Sequence, residues 1–236
     1  MIRRKTKERP FGATDERKYI ATDLATSLRG RRPWQSILAL FLLLILAGCT
    51  DYAAKMEDDF EEWNVILTDS RDGQKYKIVT IGLQTWMAQN LNYEAENSLC
   101  YNDDPANCAT YGRLYTWAAA MTACPSGWHL PSTEEFETLF SAVGGSGTAG
   151  KMLKSTSGWY NGGNGTDDYA FSALPAGGRY EDGSCRYEGR RAYFWSSTEE
   201  DNSYNAYGMY LFYNSGDANL VNNAKNNGSP VRCLKD

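Results

Sequence analysis

The sequence predicts an α+β fold with two helices packed on short, irregular antiparallel sheets joined by long loops. Three observations lead there. An alanine-rich segment, Trp117 to Ala123, and a capped amphipathic segment, Ser132 to Val143, are the helix formers of the chain. An alternating stretch with a turn signal, Lys75 to Met87, precedes them. From Gly144 onward the composition turns to Gly, Ser, Asn and Tyr with brief apolar pieces, which suits short strands and long loops. Helices gathered ahead of strands, not alternating with them, argue for α+β.

In chain order, the first feature lies outside any fold. The run Ile37 to Ala47 is apolar without a break. At about 11 residues it is short of the roughly 20 needed to span a bilayer, and it fits the apolar core of an export signal. Arg29, Arg31 and Arg32 stand just before it as the positive region. Leu46-Ala47-Gly48-Cys49 then resembles the bacterial lipobox, in which small residues lie extended in a peptidase groove and the cysteine thiol is acylated. Cys49 is therefore the expected lipidation site, and the membrane is a partner through that anchor. Residues 1–28 make the positive region unusually long, or translation starts downstream of Met1. Residues 1–48 are set aside as an extension plus lipoprotein signal peptide.

Removing them changes the charge. The whole chain carries −5, whereas residues 49–236 hold 14 basic against 25 acidic side chains, a net −11. Such a domain repels phosphate backbones, which excludes nucleic acid as the expected partner. Asp51, Glu57, Asp58, Asp59, Glu61 and Glu62 crowd the start, so residues 49–64 read as a lipidated cysteine on an acidic, solvated tether. Residues 65–236 form the expected single domain, located at the cell envelope in the outer membrane and facing either periplasm or exterior.

Within it, Asp72-Gly73 signals a turn, Lys75 to Ile81 alternates as a strand, and Gln84 to Met87 follows Gly82 as its hairpin partner. Trp117 to Ala123 must stop as a helix at Cys124-Pro125. Ser132 and Glu135 form a capping box, with Phe136, Leu139, Phe140 and Val143 on one face before Gly144-Gly145. Later strands are expected at Ala170–Leu174, Tyr193–Trp195, Tyr207–Tyr213 and Val231–Leu234.

An exported domain makes disulfides the default for the five cysteines left after Cys49. Cys100 and Cys108 bracket a polar, turn-rich stretch and are paired; Cys124 then pairs with Cys233, tying the first expected helix to the final strand. In a chain-entropy treatment the long loop contributes roughly 4.7 kcal/mol and the short one roughly 2.6 kcal/mol. Cys185 is left over, either packed as a small apolar residue or available for an intermolecular bond. No spacing forms a CxxC zinc pattern, and His129 is the one histidine, so no metal site is expected.

Six segments in order carry a family resemblance. They are Thr68 to Gln74, Gln84 to Leu91, Tyr111 to Trp117, Cys124 to Ser132, Phe194 to Thr198 and Val231 to Cys233. With them the chain, over roughly residues 65–236, resembles the Fibrobacter succinogenes major paralogous domain, carried by exported bacterial proteins and often by lipoproteins. The resemblance implies a C-type-lectin-like fold of the kind also used by formylglycine-generating enzymes. There a Trp-Ala-x-Ala-x-x-x-Cys helix is followed by Gly-x-x-Leu-Pro-[ST]-x-x-Glu, and a cysteine near the C-terminus closes the domain; here these are Trp117 to Cys124, Gly127 to Glu135, and Cys233. The resemblance thus implies the same Cys124–Cys233 bond.

Function is expected to be that of a non-catalytic binding domain, with carbohydrate as the first candidate ligand. Such folds bind through the long loops, here about 155–205, where Trp159, Tyr160, Asp167, Asp168, Arg179, Tyr180, Glu181 and Tyr187 offer flat faces and polar groups suited to sugar. Trp159 and Trp195 also suit packing in a loop-rich domain. The alternative is a structural or protein-binding surface module whose partner is another envelope protein. Discriminating the two depends on whether Trp159, Tyr160, Tyr180 and Tyr187 gather on an exposed face or pack inward. No cofactor is expected; calcium lacks its Glu-Pro-Asn, Gln-Pro-Asp and Trp-Asn-Asp motifs, and the paired copper cysteines of formylglycine-generating enzymes are missing. A serine triad would have to use His129, within what reads as a packed helix start, and Asp167 with Glu181 is the carboxylate pair a glycosidase would need.

Overall fold

The computed structural model of the protein describes residues 66–201 and 204–236. Cys49, the apolar run and the acidic tether lie outside them. The described residues are mixed helix and sheet: an α+β domain with four helices and curled antiparallel sheets. None of these helices is long and apolar enough to cross a membrane.

The larger sheet is built on a hairpin and closed by the C-terminus. Strands β1 (Ile66–Thr68), β2 (Lys75–Ile81) and β3 (Gln84–Met87) run antiparallel in sequence. Strand β12 (Leu234–Lys235) then inserts between β3 and β6 (Trp128–His129), with Leu234 opposite both Trp86 and His129. The zipping extends beyond the strand: Leu91 N donates to Val231 O at 2.9 Å, Met87 N to Cys233 O at 3.0 Å, and Asp236 N to Gly127 O at 3.1 Å. Cys124–Cys233 and Cys100–Cys108 are both disulfide-bonded, as expected.

This sheet and the next separate two apolar cores, and the sequence pairs its residues accordingly. Trp86 joins Ile81, Phe136, Leu139, Phe171 and Phe194 on one side; Met87 joins Tyr76, Leu91, Tyr115, Ala120 and Val231 on the other. Phe194 and Trp195 divide in the same way, as do Leu234 and Cys233. Strands buried on both faces lose apolar–polar alternation, so these adjacent apolar pairs are the physical requirement of their positions. Burying each such ring contributes about 1.5–3 kcal/mol.

Helix α1 (Pro105–Tyr111) replaces the expected polar loop between Cys100 and Cys108. Asp104 caps it, accepting from Ala106 N at 2.9 Å, and Pro105 stands where its missing N–H costs nothing. Helix α2 (Trp117–Ala123) and α3 (Thr133–Ala142) are the two expected helices, α3 with its complete Ser132–Glu135 capping box. Helix α4 (Ser146–Leu153) was not expected, because two glycines in eight residues oppose helix formation by about 1 kcal/mol each. Tertiary packing overrides that preference. Ala149 and Leu153 are buried in the core, and a side chain at Gly150 would meet Asp217 O at 2.1 Å. Two further pairs, β4 (Ser98–Leu99) with β5 (Leu114–Tyr115) and β7 (Gly178–Arg179) with β8 (Cys185–Arg186), brace the loops.

The second main sheet has the order β11 (Ala218–Ala224), β10 (Asn205–Phe212), β9 (Arg191–Glu199). Its register places Phe194 opposite Met209 and Ala192 opposite Leu211, all buried. The other face pairs Tyr193 with Tyr210 and Arg191 with Phe212. Strand β11 had no counterpart in the expectations, since Asn219, Asn222 and Asn223 mask its alternation. Residues 170–174 form only a bridge, Ala173 with Lys154, in place of the expected strand.

Candidate functional site

The outer face of β9 and β10 continues into the loops as a band of tyrosines and arginines. Its centre is Arg191. The guanidinium lies 3.7 Å from the Tyr187 ring centroid, 5.5 Å from Phe212 and 5.8 Å from Tyr210, and its Nη1 donates to the Tyr193 hydroxyl at 2.9 Å. Tyr193 stacks on Tyr210 at 5.3 Å, and Tyr210 on Phe212 at 6.0 Å. From Phe212 the contacts pass to Tyr213 at 4.8 Å and to Tyr160 at 5.5 Å, whose ring also carries the Arg190 guanidinium at 4.3 Å. On the other side Tyr180 meets Tyr187 edge-on at 6.0 Å and carries Arg186 at 4.9 Å. Cations are drawn to ring faces, so each arginine is held by the aromatic groups beside it.

Local backbone geometry presents this band. Tyr187 has φ +70°, a left-handed conformation that costs a bulky residue on the order of 1–2 kcal/mol. The bend aims the ring back over Arg191, and Tyr187 O accepts from both Arg190 N and Arg191 N at 3.0 Å. Gly177 permits the close approach beneath it, for a Cβ there would meet Arg186 O at 2.4 Å. Tyr160 N donates to Gly189 O at 2.7 Å, fixing the second tyrosine loop to the same turn.

The eight expected binding residues divide. Tyr160, 50 % exposed, and Tyr187, 36 % exposed, stand on the band with the half-buried Tyr180. Burial raises the Tyr180 hydroxyl above its ordinary pKa, helped by the Tyr193 hydroxyl 3.4 Å away. Arg179 borders it, 3.3 Å from Asp103 Oδ1. Glu181 accepts from the Tyr204 hydroxyl at 2.6 Å. Asp168 is exposed in a separate loop.

Two expectations are corrected. Trp159 packs inward at 5 % exposure, its Nε1 donating to Ser155 Oγ at 3.0 Å and Ala173 O at 3.2 Å, so its ring is not free to stack on a ligand. Asp167 is spent internally, accepting from Ser172 N at 2.7 Å and Ser172 Oγ at 2.6 Å, while burial pushes its carboxyl up. Arg186, Arg190, Arg191, Tyr193, Tyr210 and Phe212 were not anticipated. Their signal was the alternation Arg191-Ala192-Tyr193 facing Tyr210-Leu211-Phe212.

Other clusters have internal uses. His129 Nδ1 lies 2.7 Å from Asp236 Oδ1 and its Nε2 2.9 Å from Glu135 Oε1, so both ring nitrogens are engaged by carboxylates and, among the described residues, no serine completes a triad. A cleft of about 610 Å³ opens between β2, the chain after β3, and α1. Its polar walls are largely engaged with one another: Lys77 N donates to Gln89 Oε1 at 2.8 Å and Asn90 Nδ2 to Tyr111 O at 2.8 Å. Tyr111 and the buried Tyr76 are the aromatic residues of its lining. Cys185 is half-buried and unpaired among the described residues, its Sγ accepting from Asn102 N at 3.2 Å. No group of three or more His, Cys, Asp or Glu among the described residues is arranged to hold a metal.

The family model described as the Fibrobacter succinogenes major domain matches residues 79–235, from the middle of β2 to β12. No curated protein and no solved structure matches the chain.

Proposed function

This chain belongs to the Fibrobacter succinogenes major domain family, and from that premise we propose a lipid-anchored, non-catalytic cell-envelope protein whose domain binds carbohydrate. The observation behind the binding role is the exposed band of Tyr160, Tyr187 and their arginines on the β9–β10 face. Sugars present apolar C–H faces to flat rings and hydroxyls to fixed polar groups, and such a band supplies both.

The domain is assigned to the C-type-lectin-like group. Support comes from the Trp117–Ala123 helix, the capping-box helix after it, and the Cys124–Cys233 bond that ties the last strand to the first of them. The non-catalytic reading rests on His129 and Asp167, whose polar atoms are already committed to protein partners. The anchor rests on the apolar run and the Leu46-Ala47-Gly48-Cys49 motif. Fatty-acid labelling that persists in Cys49→Ser would overturn that part.

Binding of the full chain to a glycan array and to insoluble polysaccharides, with and without calcium, tests the function. The expected result is saturable binding lost in Tyr160→Ala/Tyr187→Ala with the fold intact by circular dichroism. A folded wild-type chain that binds no glycan leaves the protein-binding or structural surface module as the correct account.

A further inference from the structure

The charge arrangement of the band says more about its ligand than its rings do. Residues 66–236 carry 13 basic and 19 acidic side chains, yet four of the seven arginines there fall between 179 and 191. The acids nearby are engaged elsewhere. Asp182 pairs with Arg186, Asp103 with Arg179, and Glu181 accepts from Tyr204. Glu188 interacts with Tyr101 and Tyr111, helping burial to raise the pKa of the Tyr111 hydroxyl.

Arg190 and Arg191 therefore have no carboxylate partner among the described residues, although the domain has carboxylates in excess. Burial works against the Arg191 charge, but the Tyr193 hydroxyl and the oxygens of Tyr210 and Tyr187 outweigh it. Aromatic rings hold a cation without neutralising it, so the positive charge stays available to an incoming anion. A net-acidic surface around a local positive site also turns away anions everywhere else.

We propose that the band, resting on the carbohydrate reading above, binds acidic polysaccharide whose sugar rings carry carboxylates. A uronate ring stacks on exposed Tyr160 or Tyr187 while its carboxylate meets the guanidinium of Arg190 or Arg191. A planar carboxylate matches the guanidinium fork and pairs with it through two parallel N–H···O bonds.

The test is titration of the full chain with polygalacturonate, with the same polymer fully methyl-esterified, and with dextran sulfate. Esterification removes the charge and keeps the backbone. The expected result is binding to the acid form about tenfold tighter than to the ester, a tenfold ratio being 1.4 kcal/mol, and weakened by added salt. Arg190→Gln, at an exposed position that leaves the packing intact, brings the two affinities together, and Arg190→Gln/Arg191→Gln does so more fully. Equal affinity for acid and ester, a preference kept by both variants, or dextran sulfate bound as tightly as polygalacturonate overturns the uronate assignment and leaves carbohydrate binding standing. Absence of binding to these polymers and to neutral glycans overturns both.

Discussion

The guanidinium of Arg232 lies wholly inside the domain, its Nε 3.0 Å from Asn90 Oδ1. Met87 O, Phe171 O and Ser172 O complete its acceptors, and the rings of Phe171 and Phe194 flank it at 4.5 and 5.3 Å. Burial lowers its pKa to about 9, with the Asp167 carboxylate acting in the opposite sense, so it remains a cation at neutral pH. One side chain thus joins the chain after β3, the loop carrying Asp167 and the C-terminal segment. Arg232→Met strands those buried acceptors and is expected to cost about 3–5 kcal/mol, since removing one member of a buried charged network is more damaging than never having built it. Urea unfolding with an unchanged slope and a lowered midpoint checks this; a shift below about 1 kcal/mol would contradict it.

Trp159 and Tyr160 are neighbours with opposite roles, and stability separates them. Trp159→Ala empties a core position and is expected to cost about 3–5 kcal/mol. Tyr160→Ala removes a half-exposed ring and should stay within about 1 kcal/mol of wild type. Thermal melts of the two variants measure the difference. Equal losses would mean that Tyr160 is a packing residue and not part of a binding surface.

His129 makes a small part of the stability depend on pH. Burial opposes its charge, but the bonds to Asp236 and Glu135 prevail and raise its pKa above 6.5. The folded state therefore holds the proton more tightly than the unfolded one. That contribution is full below about pH 6.5 and is lost as pH rises through the raised folded value. The group is partly exposed, so the expected loss is under about 1 kcal/mol. His129→Gln should flatten the difference between denaturation midpoints at pH 5.5 and 8.5; a slope that survives belongs to another group.

The two disulfides should differ in what their removal costs. Cys124–Cys233 closes 109 residues and Cys100–Cys108 closes 8. Replacing the long-range pair by alanine is expected to cost about 4.7 kcal/mol and the short pair about 2.6 kcal/mol in the chain-entropy treatment. Calorimetry on the two double variants decides it; a larger loss from the short pair would show that α1 depends on its staple more than on its Asp104 cap.

Much of this fold is legible in the residues, and the failures have causes. The Ser132–Glu135 box and the i, i+3, i+4, i+7 face locate α3 because local bonds and burial agree there. Helix α4 escapes because Gly147 and Gly150 speak against a helix and only the close pass of Asp217 O explains the second of them. Trp159 reads as either a ligand or a packing residue, because ring size and loop position say nothing about which way a side chain points. The arginines of the band escaped for the opposite reason: Arg191 and Tyr193 sit in a strand whose other face, with Phe194, dominates the pattern. Tyr160, Tyr180 and Tyr187 were readable from composition, but what joins them is a sheet register that no local signal encodes.

The central place of β12 has a consequence for how the domain closes. Residues 231–236 bond to both neighbours of the slot they fill, and supply Arg232 and Cys233 to the interior. Without that segment β3 and β6 face an unfilled slot and Cys124 lacks its mate, so the sheet closes only when a stretch far from β3 in sequence arrives to fill it. A variant that lacks Val231 to Asp236 leaves those strand edges uncovered, and limited proteolysis is expected to cut it faster than the intact domain.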